Sequence, residues 1–177
     1  PEEIVDTLER CNVNALFVIG GDGTMKAALS ISREVQNRGL KIPVIGIPKT
    51  IDNDLALTDH CPGFGSAAKY IAASCMELSL DSSVYFNGAI TVVEIMGRNA
   101  GWLTAASAIA AFNGHGPDLI YVPEIPFDIS AFMDDVSAVY NRKGDCFVAV
   151  SEGIKDKDGK YISEYASGLA TEQDSFN

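Results

Sequence analysis

Apolar positions along the chain fall into two alternating periods. Ile4, Val5, Leu8 and Cys11 follow helical spacing, as do Ala28, Leu29 and Val35, a stretch that Gly39 closes. Between them, Ala15-Leu16-Phe17-Val18-Ile19 is a short apolar run halted by Gly20-Gly21, the pattern of a strand buried on both faces. Ile42-Pro43-Val44-Ile45-Gly46-Ile47 predicts a second strand, with Pro43 at its start, where a missing N–H is tolerated. From Pro48 to Pro62 the chain is too rich in Asp and Asn to be core. Ala67, Ala68, Ile71, Ala72, Cys75 and Leu78 then describe an amphipathic helix. Ala89 to Met96 predicts a strand and Leu103 to Phe112 a helix of small residues. Asp118 to Val122, Ile129 to Tyr140 and Cys146 to Val150 predict strand, helix and strand. Strands alternating with helices imply an α/β fold: three layers, with a mostly parallel sheet covered by helices on both faces. There is no internal repeat, low-complexity tract or linker, and 177 residues suit one compact domain.

Composition narrows the partners. An apolar fraction of 47% fits a folded globular chain, and no apolar run approaches the roughly 20 residues of a membrane span. Pro1 to Arg10 lack the basic-then-apolar order of a signal peptide. The net charge of −11 argues against nucleic acid or an anionic membrane as the main partner. It leaves room for a phosphorylated substrate held by a metal ion and a few local cations. Cys11, Cys61, Cys75 and Cys146 form no CxxC pair and read as buried free thiols in a reducing cytosol.

In parallel sheets, ligands sit beyond the carboxyl ends of the strands. Four polar clusters fall at such ends: Gly20-Gly21-Asp22-Gly23-Thr24, Pro48 to Asp54, Gly97-Arg98 and Ser151-Glu152-Gly153. The first joins a strand to a helix. Its glycines let the backbone approach a phosphate, the helix start offers free N–H groups, and Asp22 offers an oxygen to Mg²⁺. The plainer reading is a Gly-rich turn with a helix cap. The second, Pro48-Lys49-Thr50-Ile51-Asp52-Asn53-Asp54, sets two carboxylates beside a lysine and a hydroxyl. Phosphoryl transfer to an alcohol needs metal, charge neutralisation and a carboxylate to take the hydroxyl proton, and this stretch has candidates for each. Its plainer reading is a solvated turn.

Taken in order, Gly20-Gly21-Asp22-Gly23-Thr24, Pro48-Lys49-Thr50-Ile51-Asp52-Asn53-Asp54, Met96-Gly97-Arg98 and Ser151-Glu152-Gly153 resemble the phosphofructokinases over nearly the whole chain. The first motif also occurs in kinases of NAD and diacylglycerol; the second separates the families. The resemblance implies that Asp52 is the base for the C1 hydroxyl of fructose 6-phosphate, with Asp22 and Asp54 on Mg²⁺ and Thr50 on the transferring phosphate. Gly20, Gly21, Gly23, Thr24 and Lys49 would bind the donor. Met96, Gly97 and Glu152 would bind the sugar, and Arg98 would stabilise transition-state charge. For Arg98 the competing reading is a surface salt bridge, and for Glu152 a solvated strand end. His60 and His115 are expected in structural or surface roles and Trp102 in core packing.

The family uses ATP or pyrophosphate. In its pyrophosphate users the residue matching Gly23 is usually aspartate, which would fill the space of a nucleotide α-phosphate, so Gly23 favours ATP. Lys49 resembles the pyrophosphate users. The mixture is similar to the ATP enzymes of plants and trypanosomatids, which belong to the pyrophosphate-like branch. Thr58 to Ser151 looks more like bacterial pyrophosphate-type members. Steric exclusion at Gly23 decides the expectation for ATP.

By the same resemblance, residues 1–177 are the central catalytic part of a longer chain. An N-terminal strand with its phosphate loop and a C-terminal half with basic residues for the 6-phosphate are expected outside it. The 177 residues alone are then expected to have little activity. Asp81 to Thr91 contains no arginine where bacterial ATP enzymes place one that reaches a neighbouring subunit. A cytoplasmic homo-oligomer, dimer or tetramer, is implied. A non-catalytic regulatory subunit would typically lose the base or metal ligands, which this chain keeps.

Overall fold

The computed structural model describes residues 1–86 and 88–166. The chain divides into two compact units, Pro1–Ile51 and Asp52–Asn177, rather than the single domain its length suggested. The boundary falls inside the Thr50-Ile51-Asp52-Asn53-Asp54 run.

The first unit contains helix α1 (Glu2–Arg10), strand β1 (Leu16–Gly20), helix α2 (Asp22–Asn37) and strand β2 (Val44–Pro48). The two strands pair in parallel, Leu16 opposite Val44 and Gly20 opposite Pro48. Val5 and Leu8 of α1 pack with Ile31 and Val35 of α2, and Leu16 and Val44 close this core from the sheet. Arg38 ties the end of α2 to α1 through Asp6 (2.5 Å) and to Glu34 (2.7 Å). Burial on both faces of β1 is not what this unit has. Its helices form one layer on one face, so Phe17 and Ile19, pointing the other way, are 60% and 64% exposed.

In the second unit, helix α3 (Phe64–Ser82) precedes strand β3 (Ile90–Ile95), and helix α4 (Trp102–Ala106) runs into a 3-10 segment, Ser107–Asn113. Strand β4 (Leu119–Tyr121), helix α5 (Ile129–Lys143), strand β5 (Cys146–Ser151) and the short helix α6 (Ser163–Ala166) follow. All pairings are parallel, in the order β3-β5-β4. Strand β5 sits centrally and alternates its side chains between two helix layers. Phe147 and Ala149 meet Cys75 of α3, Leu103 of α4 and Ala110, while Cys146 and Val148 meet Val136 and Val139 of α5. Asp128 caps α5 by accepting from the Ser130 and Ala131 N–H groups (2.8 and 2.9 Å), and Gly144 ends it in the left-handed region.

Among the described residues, the expected single sheet is thus two parallel sheets, one per unit. The expected helix over Leu103–Phe112 changes to 3-10 at Ser107, since an Ala- and Ser-rich stretch gives no periodic signal to tell the two apart. Trp102 is 55% exposed rather than core, because it opens α4 while the following Leu103 and Thr104 point inward. Cys61, Cys75 and Cys146 are buried free thiols, whereas Cys11 is exposed because it lies past the last turn of α1. His60 is exposed against the ring of Phe64, 5.5 Å between centroids. Among the described residues, no helix is long and apolar enough to cross a membrane.

Candidate active site

In each unit, the sequence clusters lie where strands end. In the first unit, β1 ends at Gly20 and α2 begins at Asp22, so the turn between them is as short as a strand-to-helix connection allows. The Lys49 N–H donates to the Gly20 carbonyl at 2.8 Å, extending the β1–β2 ladder past the strand ends and fixing Lys49 beside the glycine turn. The Thr24 side chain rests against Gly20. Asp22 and Gly23 occupy the exposed first turn of α2, where an acidic group is favoured by the helix dipole. Asp22 pairs with Lys26 one turn on, at 2.6 Å, and that pairing raises the Lys26 ammonium above its ordinary range. Around Gly23 there is open space: a Cβ built there meets nothing within 4 Å. Thr50 is half-buried at the end of this unit.

The second unit opens with the two carboxylates. Asp52 is half-buried and Asp54 exposed. Burial raises the Asp52 carboxyl above its usual range, and the charges of Asp54 and then Glu152 push the same way. That coupling brings Glu152, far away in sequence, into the electrostatic surroundings of Asp52.

At the ends of β3 and β5, the two triplets interlock through hydrogen bonds between the Gly97 backbone and the Ser151 and Glu152 side chains. The Gly97 N–H donates to Oε1 of Glu152 at 3.1 Å, and the Gly97 carbonyl accepts from the Ser151 hydroxyl at 2.7 Å. The same Ser151 Oγ accepts from the Gly153 N–H at 3.1 Å. Gly97 has φ 137°, and a Cβ there would stand 2.5 Å from the Ala100 carbonyl oxygen. A Cβ on Gly153 would overlap the Arg98 carbonyl. Only glycine permits this approach at either position. The result leaves Met96 and Arg98 exposed on either side of a buried Gly97.

A cleft of about 430 Å³ opens here, lined by Glu94, Arg98, Glu152, Tyr161, Ser163 and Glu164. Arg98 and Glu152 were expected from sequence. Glu94, Tyr161, Ser163 and Glu164 were not. The latter three arrive on a turn built by Asp156, whose carboxylate accepts from the Asp158 and Lys160 N–H groups (both 2.9 Å). Lys155 and Tyr161 bridge across that turn. The Asp-Lys-Asp-Gly run at 156–159 signals such a turn, but nothing in it signals what the returning chain would line.

Chemically, the second unit offers a half-buried carboxylate beside a second acid, a guanidinium and a carboxylate already oriented by a backbone N–H. Such groups can accept hydrogen bonds from hydroxyls, offset negative charge and take a proton from a hydroxyl. Among the described residues, no group of three or more His, Cys, Asp or Glu is assembled to hold a metal ion. Mg²⁺ often takes one or two carboxylates and completes its shell with substrate phosphates and water.

These residues stand at the strand ends of an α/β fold. The sequence matches the Phosphofructokinase family profile over residues 1–175, and the chain belongs to that family. It is 42% identical over 177 residues to pyrophosphate–fructose 6-phosphate 1-phosphotransferase of Xanthomonas campestris pv. campestris, covering 97% of this chain and 41% of that protein. It is 38% identical over 169 residues to ATP-dependent 6-phosphofructokinase of Trypanosoma brucei brucei, covering 95% of this chain and 34% of that one. The crystal structure of pyrophosphate-dependent phosphofructokinase from Nitrosospira multiformis matches with a TM-score of 0.77 at 36% identity, over 97% of this chain and 45% of that one. The chain therefore spans about a third to two fifths of the length of the curated relatives it matches.

Proposed function

We propose that the polypeptide containing this chain transfers a phosphoryl group from ATP to the C1 hydroxyl of fructose 6-phosphate, giving fructose 1,6-bisphosphate in the cytoplasm. The observation that carries this reading is geometric: Asp52 is half-buried two residues before the exposed Asp54, and Glu152 is oriented by the Gly97 N–H beside Arg98 in one cleft. The Asp52 carboxyl is held above the ordinary range by burial, with Asp54 and Glu152 adding to the effect. A base titrating closer to neutral pH takes a proton from an alcohol more effectively than an ordinary carboxylate. As O1 attacks phosphorus, its proton passes to Asp52. The O1–P bond forms, the bond to the bridging oxygen breaks, and the electron pair leaves with the nucleoside diphosphate.

The remaining residues serve this step. Arg98 lies in the cleft and would offset negative charge gathering on the phosphoryl oxygens. Glu152 keeps one oxygen on the Gly97 N–H and would use the other for sugar hydroxyls. Met96 and Gly97 would form the wall of that sugar pocket, and Thr50 would hydrogen-bond the moving phosphate. Gly20, Gly21, Gly23, Thr24 and Lys49 would receive the donor. The carboxylates of Asp22 and Asp54 fit Mg²⁺ in donor type, and the ion would neutralise donor phosphate charge when bound. By the family resemblance, the working form is a homodimer or homotetramer.

Two observations divide on the donor. The open space at Gly23 favours ATP, because an acidic side chain there would exclude the nucleotide. Lys49, held beside the glycine turn, favours pyrophosphate, the donor named for the Xanthomonas relative. The deciding experiment assays the full-length protein with fructose 6-phosphate and Mg²⁺ against ATP and pyrophosphate separately. Turnover with ATP is expected. Turnover with pyrophosphate alone would transfer the weight to Lys49, and turnover with neither would favour a regulatory subunit.

A further inference from the structure

We propose that Asn53 is a positioning residue for the phosphoryl transfer: its side-chain amide and left-handed backbone fix the loop that presents Asp52 and Asp54. This rests on the reading of Asp52 and Asp54 given above. Asn53 is only 6% exposed, although the two acids on either side of it are not buried. Both ends of its amide are used. Oδ1 accepts from the Cys61 N–H at 2.8 Å, and Nδ2 donates to the Asp59 carbonyl at 3.2 Å. An ionised aspartate, of the same length, has acceptors only, so it is the amide that serves both partners. Its backbone has φ 58°, a region that asparagine enters more readily than other residues with a side chain.

The two bonds close a loop across residues that form neither helix nor strand. Leu57, inside the loop, also stands in the left-handed region, at φ 57°. A leucine holds that conformation only where the surrounding chain imposes it, and the two bonds from Asn53 span it. The loop is also tied to a rigid element. Cys61 is buried, and its carbonyl accepts from the Phe64 N–H (3.2 Å) at the start of α3. The path runs from α3 through Cys61 to the Asn53 side chain and so to the backbone carrying both carboxylates. A reacting group misplaced by about 1 Å can lose about 10²-fold in rate, so such anchoring bears directly on turnover.

The test uses the full-length protein and compares Asn53→Gly with the parent. Glycine accepts the φ but has neither bond. The expected result is a fall in kcat of about 100-fold, with KM for fructose 6-phosphate within about threefold and a native circular dichroism spectrum. Val35→Ala, in the core of the other unit, is the control for lost stability; with a comparable fall in melting temperature it should keep kcat within about twofold. A kcat for N53G within about threefold of the parent would overturn the proposal and leave Asn53 a structural residue. Should N53G fail to fold, N53D keeps the acceptor for Cys61 but not the donor to Asp59. A loss of at least about tenfold is expected there, and an unchanged kcat would overturn the proposal equally. A parent that turns over with neither ATP nor pyrophosphate would instead remove the phosphotransferase reading, and this proposal with it.

Discussion

Glycine is used in opposite ways at different positions of the chain. In the first turn of α2, Gly23 has nothing within 4 Å of where a Cβ would stand, so the fold does not demand glycine there. At the ends of β3 and β5, Gly97 and Gly153 are pressed against the carbonyls of Ala100 and Arg98, and no larger residue fits. The first is a glycine whose absent side chain leaves room for something else. The second pair lets two strand ends interlock so that Arg98 and Glu152 reach the cleft from fixed positions. A Gly-rich cluster therefore does not have one meaning. The open one is where specificity can change without loss of the fold, and the crowded one is where it cannot.

The largest effect expected lies on the crowded side, at the group the interlock helps to surround. Asp52→Ser should lower kcat by about 10²–10⁴-fold with little change in melting temperature. Steady-state kinetics of the full-length protein measure this. A loss under about tenfold would mean that Asp52 is not the base and that the second unit binds sugar without activating it.

Next in size is the direct test of the contrast. Gly153→Ala must displace the Arg98 backbone, an overpacking that should destabilise by about 3 kcal/mol. Gly23→Ala enters open space at an exposed first turn of α2 and should change stability by less than about 0.5 kcal/mol. Urea unfolding of the two variants side by side reads the difference. Equal destabilisation would erase the contrast between the two glycine clusters.

How far these features were legible in sequence depends on their range. The strand runs and the helices α2, α3 and α5 follow from local periodicity, and their bounds moved by only a few residues. The strand ends that precede Asp22, Asp52, Arg98 and Glu152 were legible because glycines and polar residues break the apolar runs there in contiguous clusters. What local pattern does not encode is pairing. Which strands join, and that β1–β2 and β3-β5-β4 form separate sheets, is set by contacts between residues far apart in sequence. Tyr161, Ser163 and Glu164 were missed for the same reason, since a turn at Asp156 returns them to a cleft founded some sixty residues earlier. Asn53 was visible as a letter in a motif. Its φ and its bonds to Asp59 and Cys61 were not.

A smaller effect is expected at the open glycine. Gly23→Asp should leave the fold intact and shift the kcat/KM ratio from ATP towards pyrophosphate by about tenfold or more, since a carboxylate beside a phosphate position is worth at least about 1.4 kcal/mol of repulsion. Unchanged use of ATP by a folded G23D protein would show that the space is not where the nucleotide lies.

The finest test concerns which part of its surroundings tunes Asp52. Its carboxyl is raised, so the site disfavours the charged form relative to water, and catalysis by the ionised form falls away as pH drops through that raised value. The acidic limb of kcat/KM should thus lie above the roughly 3.9 of an ordinary aspartate. Burial is the largest cause, Asp54 the second and Glu152 the third. Glu152→Gln removes only the smallest of these while keeping an amide oxygen for the Gly97 N–H. It should move the limb slightly downward in pH, whatever it does to sugar binding. A limb that fell all the way to the ordinary carboxylate range would make charge, not burial, the source of the shift. The crowded end of the second unit would then tune the base by where it puts Glu152 rather than by excluding water.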